Sequence, residues 1–150
     1  MKEYFTNIIL LGRQYITTNQ VLQESKMSTA SVTRIAQRCL DQRLNQGGVV
    51  RFEHSNIVLA HSTQPSPIES TVYCPLLCVV LQGKKEVSAG SHKVICPEGN
   101  MILVSHQLPV ISKITNASSV NPYIAVILPL DREKLRRYYE PINSTIAEDA

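Results

Sequence analysis

The sequence predicts a mainly β domain, a sandwich or barrel, with helices before and after it. Three observations carry that expectation. After Gly48 the apolar residues come in short runs of strand length, separated by turn signals. Gly90-Ser91 divides Lys85–Ala89 from His92–Ile95 by two residues, a hairpin signal in which glycine supplies the positive φ of a type II′ turn. The stretch PLLCVVLQGKKEV, residues 75–87, is apolar without a break from Leu76 to Leu81 and then turns abruptly to glycine and charge. A strand written that way has no wet face. It suits the wall of a small barrel covered by helices outside, and a central sandwich strand accounts for it equally well.

The elements follow in order. Tyr4, Ile8, Leu11 and Tyr15 recur at helical spacing and predict a helix over 3–16. A second helix is predicted over 28–44, with Val32, Ile35, Ala36, Cys39, Leu40 and Leu44 as its apolar stripe. Ser28 or Thr29 caps it and Gly47-Gly48 stops it. Strands are expected at 49–52, 57–60, 72–82, 84–89, 92–96, 101–105, 110–115 and 123–130. The two prolines of STQPSP (62–67) make a loop. Asp131 can cap a last helix running through Tyr139, and Pro141 ends it.

A chain of 150 residues can bury a core of its own without disulfide staples. Its net charge of +3 is too mild to argue for nucleic acid. Ile8-Ile9-Leu10-Leu11 is too short for a leader or a membrane span, so a cytoplasmic protein is expected. There Cys39, Cys74, Cys78 and Cys96 read as buried thiols. On one strand Cys74 and Cys78 would lie roughly 13 Å apart, beyond disulfide reach.

Tyr73, Pro75, LCVVLQGKKEV, Gly90, PEGNMILVSHQLPV, NAS and PYIAVILPLD, in that order and spacing over roughly 57–140, resemble the N-terminal domain of one branch of the AraC-type transcriptional regulators. The resemblance implies a cupin-like double-stranded β-helix, a jelly-roll barrel, with flanking helices. The expected divisions are a helical segment at 1–48, the barrel at 49–130, and a helix and tail at 131–150. Such domains sense a small-molecule effector or support dimerisation. The family's helix-turn-helix pair lies further along the chain and is absent from these residues. DNA binding is therefore expected only through that missing C-terminal domain.

Other functions fit these residues less well. Metal cupins need a histidine pair and an acid ahead of the first glycine, and a further histidine after the PxG turn. Here Glu69, Ser70, Thr71, Val72 and Leu76 precede Gly83, and Ile102 follows Pro97-Glu98-Gly99. His54, His61, His92 and His106 are scattered. Neither a metal nor another cofactor is expected. No GxSxG or phosphate-cradling glycine loop occurs, so a small cupin enzyme stands only as the alternative. A third reading is a stand-alone DNA-binding protein using a helix-turn-helix at 19–40, with Ser31, Thr33, Arg34 and Arg38 facing DNA. Lys26 stands where such motifs usually place glycine, which favours a helix pair packed on the barrel. Candidates for a ligand pocket near strand ends are Tyr73, Gln82, His92, His106 and Tyr123. Leu135, Tyr138 and Tyr139 are candidates for a homodimer contact.

Overall fold

The computed structural model describes residues 7–11, 16–17, 29–43 and 48–137. Among the described residues, eleven strands and one long helix follow in the order β1 (Asn7–Leu11), β2 (Ile16–Thr17), α1 (Thr29–Asp41), β3 (Gly48–Phe52), β4 (Ile57–Ser62), β5 (Glu69–Tyr73), β6 (Leu76–Gln82), β7 (Lys84–Ala89), β8 (His92–Pro97), β9 (Asn100–Val104), β10 (Leu108–Asn116) and β11 (Tyr123–Pro129). They form a seven-stranded sheet ordered β2-β1-β9-β6-β11-β4-β3 and a four-stranded sheet ordered β5-β10-β7-β8. Among these strands every pairing is antiparallel except β1 with β9. Two such sheets facing each other, with the chain passing between them, make a jelly roll.

The two sheets close on one apolar interior. Cys78, Val80, Ile102, Val104, Tyr123 and Ala125 come from the larger sheet, and Val87, Cys96 and Val110 from the smaller. The alternation of β6 is thereby assigned. Leu76, Cys78 and Val80 face inward, while Val79 and Leu81 face outward beneath α1. Both faces of β6 are covered, which is why its apolar run is unbroken.

α1 covers the outer face of the larger sheet. Ala36 and Leu40 are buried there with Val50, Leu59, Leu81 and Ile124, flanked by Val32 and Cys39. These helix positions repeat every three to four residues, so one stripe docks and the opposite face stays polar. Thr33 Oγ1 donates to Thr29 O at 2.8 Å and approaches Leu81 O at 3.3 Å, tying the helix to the end of β6.

Single residues make the turns. Gly83 (φ 83°) alone joins β6 to β7 and carries the chain from one sheet to the other. Gly90 (φ 58°) begins the β7–β8 hairpin, in which Ala89 pairs with His92. Ser91 has no positive φ, in agreement with the type II′ turn. Asp131 Oδ1 accepts from the amides of Glu133 (3.0 Å) and Lys134 (3.1 Å), and so caps a short helix over 132–137.

Three expectations are corrected. The helix expected over 3–16 is overturned at its described residues, because Asn7–Leu11 is a strand that pairs residue for residue with Asn100–Val104 and extends the sheet past β9. The backbone groups on that side of β9 gain partners, and sheet completion outweighs an apolar spacing that also fits a helix. The single strand expected over 72–82 is two strands in different sheets, broken at Cys74-Pro75. Proline at 75 cannot donate a ladder hydrogen bond, and the break lets the chain change layers. Cys74 sits at that break and is exposed, not buried.

Candidate functional site

A concavity lies outside the barrel, at the seam between α1 and one end of the sheets. Its cause is a bulge. Ala125 pairs with Val80 but Ile124 pairs with Gln82, leaving Leu81 as the extra residue. Simple alternation would send Gln82 inward with Cys78 and Val80. The bulge reverses its phase and turns it toward the helix. Gln82 Nε2 donates to Pro122 O at 2.7 Å, which fixes the side chain at the floor of the groove.

The groove encloses about 520 Å³. One wall is the polar face of α1: Ala30, Thr33, Arg34, Gln37, Arg38 and Asp41. The other is Gln82 with Glu98 from the β8–β9 turn. Gln37 Nε2 donates to Asp41 Oδ1 at 2.9 Å. Arg34 and Arg38 stand one turn apart, and neither forms an ion pair with Asp41 or Glu98 although all four line the same space. The groove therefore presents two guanidinium groups and two carboxylates, held apart and open to solvent. Such a surface can take a small polar molecule carrying an anionic group, through bidentate contacts from arginine.

The barrel interior has a different chemistry. Tyr123 is 2% exposed and lies in the interior with Cys78 and Cys96. Burial pushes the Cys78 thiol up, opposed by the charge of Lys85 and, less, by the neighbouring Tyr123 hydroxyl. Burial, and then the neighbouring Cys78, push Cys96 up to about 12. Burial also raises Tyr123 well above the usual phenol range. All three groups keep their protons at neutral pH, so neither thiol is a ready nucleophile.

The five pocket candidates do not converge. Tyr73 is half-buried at the edge of the interior, with the Lys85 ammonium 5.5 Å from its ring centroid. Tyr123 lies in the core. His92 is exposed at the β7–β8 hairpin, and His106 is exposed after β9 with Nδ1 3.0 Å from Ser105 Oγ. Gln82 alone reaches the groove. Arg34 and Arg38, expected as DNA contacts in the helix-turn-helix reading, line it from α1, whose other face is docked on the sheet. Thr33, named with them as a DNA contact, lines it too, whereas Gln37, Asp41 and Glu98 were not anticipated. The signal available for them was the polar stripe of α1, which repeats at the same period as its apolar one. Leu135 is exposed on the short terminal helix, and Tyr138 and Tyr139 lie outside the described residues. Among the described residues no three His, Cys, Asp or Glu side chains gather as a metal site, and no helix is long and apolar enough to cross a membrane.

The family model of the AraC-type transcriptional regulator N-terminus matches residues 54–149. The chain belongs to this family. Solved structures similar to this AraC-type N-terminal domain include a cupin-2 domain protein of Shewanella frigidimarina, 8% identical over 63% of this chain and 91% of that one, with a TM-score of 0.43. The Cnp3 cupin domain of Schizosaccharomyces pombe is 14% identical over 61% and 69%, with a TM-score of 0.39. The CENP-C cupin domain of Drosophila melanogaster is 13% identical over 69% and 98%, with a TM-score of 0.38. A search of curated proteins found no match.

Proposed function

We propose that this AraC-type N-terminal domain senses a small polar, anionic effector in the α1 groove and passes the bound state to a DNA-binding domain elsewhere in the regulator. The observation that carries the reading is the pair Arg34 and Arg38, which face the groove without an acidic partner among its lining residues. The domain acts by binding, without catalysis, and works in the cytoplasm beside its DNA target. A ligand closing on the arginines pulls on a helix already tied through Thr33 to the carbonyl of Leu81, the extra residue of the bulge that places Gln82. Transmission then requires that the effector favour one of two positions of α1. In this reading copies also associate, and the exposed Leu135 is one candidate contact.

The test is a thermal-shift screen of the 150-residue chain against small carboxylates, amino acids and phosphorylated metabolites. A compound that raises the melting temperature in wild type, and not in the Arg34→Ala, Arg38→Ala double variant, supports the reading. A hit that stabilises both proteins equally sinks the groove as its site. The same variant separates this reading from direct DNA recognition. If these arginines read DNA, the variant loses salt-sensitive DNA binding; if they serve the groove, DNA affinity does not move.

A further inference from the structure

Among the described strands, the two sheets end at β2, β3, β5 and β8. β8 carries Lys93 and ends in Pro97, both of which discourage pairing with another chain, and β3 carries the cation Arg51 at its edge. β5, ESTVY, has one charge, no proline and an unbroken register against β10. Glu69 to Val72 are all exposed, Val72 to 57%. On the outer face beside Val72 stand its β10 partner Pro109 and the half-exposed Ile111.

The direction of the unused backbone groups follows from two facts. Pro109 has no amide hydrogen, so its pairing with Val72 is a non-hydrogen-bonded one. Two residues beyond the ladder, Ile114 O accepts from Ser66 N at 3.1 Å and Ile114 N donates to Ser66 Oγ at 2.8 Å. Even-numbered residues of β10 therefore point their backbone groups at β5. Their partners Glu69, Thr71 and Tyr73 answer them. Ser70 and Val72 consequently direct N–H and C=O at the open edge.

We propose that β5 pairs antiparallel with β5 of a second copy, about a two-fold axis through Thr71. This rests on the homodimer part of the reading above and names its surface. Only that centring pairs Ser70 of each copy with Val72 of the other, using both outward residues in a reciprocal set of backbone hydrogen bonds. It also sets Glu69 across from Tyr73 of the other copy, whose ring carries the Lys85 ammonium. Acid and base then meet twice, once on each side of the axis. The occupant is self-complementary in backbone, charge and apolar rim, as a two-fold contact demands.

The experiment is sedimentation equilibrium on the full chain. Thr71→Lys places like charges face to face on the axis, and the dimer dissociation constant is expected to rise about tenfold or more. An equimolar mixture of Thr71→Lys and Thr71→Glu chains should restore the dimer mass, which a merely misfolded variant could not do. A wild-type dimer that Thr71→Lys leaves unchanged overturns the β5 contact. If Leu135→Ala dissociates that same dimer, dimerisation itself survives through the terminal helix. A wild-type chain that stays monomeric at high concentration overturns both.

Discussion

A Cβ built on Gly83 would stand 2.5 Å from the carbonyl oxygen of Asn116 and 3.1 Å from Tyr123 Cα. The chain crosses between sheets at that point with a φ of 83°. Backbone crowds Gly83 from the sides of β10 and β11, and neither neighbour is a flexible side-chain tip. Gly83→Ala is therefore expected to destabilise the fold by about 3 kcal/mol, from left-handed strain plus the clash. Urea unfolding of the purified variant measures it. Gly90, with open space around its Cβ position, should cost less for the same substitution, since only its φ is strained.

Leu40 is 1% exposed and fills the space between α1 and the outer face of the larger sheet. Leu40→Ala should cost about 3 kcal/mol, lost burial and residual cavity together. Because the same helix builds one wall of the groove, this variant should also weaken any ligand that the thermal-shift screen finds. A variant that loses stability yet binds that ligand with unchanged affinity would separate the groove from α1 docking.

The buried thiols predict an alkaline weakness. Above pH 9 the unfolded chain gives up the Cys96 proton, whereas the folded chain holds it until about pH 12. The folded state then binds more protons, so stability is complete below pH 9 and declines as pH rises across that window. Each retained proton contributes a slope of about 1.4 kcal/mol per pH unit. Unfolding curves at pH 8 and pH 10 should differ less in Cys96→Val than in wild type. In the native protein at pH 8, a thiol reagent should modify exposed Cys74 quickly and reach Cys78 and Cys96 only on unfolding.

Asp131 accepts hydrogen bonds from two amides at the start of the 132–137 helix. Asp131→Ala should remove about 1 kcal/mol of local stability and leave the barrel unchanged. Hydrogen exchange at the Glu133 and Lys134 amides is expected to quicken about fivefold. Equal acceleration in β6 would mean that the helix supports the whole fold.

Much of the architecture was legible because its signals are local. Gly90-Ser91 demands a hairpin by its own φ preferences, and the structure places Ala89 opposite His92. Of the stripe Val32, Ile35, Ala36, Cys39, Leu40 and Leu44, the positions Val32, Ala36, Cys39 and Leu40 make the docked face, while Ile35 is 54% exposed and Leu44 lies outside the described residues. Asp131 demands a helix start and has one. Where the reading failed, two local answers were nearly equal. The run Asn7–Leu11 suits a helix by spacing and a strand by content; the unpaired side of β9 decided between them. Residues 72–82 look like one continuous strand, and only the need to close two layers breaks it at Pro75.

The candidate site was less legible. Its Gln82 was singled out, but as one of five residues that the fold scatters. Its arginines were singled out for a different role. The groove exists because Leu81 is one residue too many opposite Ile124, and a bulge has no signature in a strand's own composition.

By itself the sequence determined the β-rich class, the family, the hairpin at Gly90-Ser91 and the doubly covered strand β6, since periodicity, turn chemistry and motif order are properties of neighbours along the chain. Tertiary structure alone decided which face of β6 looks inward, that β1 joins β9, that Gln82 turns toward α1, and that β5 ends its sheet among the described strands. Each of those depends on a partner distant in sequence, and a hydrogen bond or a packed methyl is indifferent to how many residues separate its two ends.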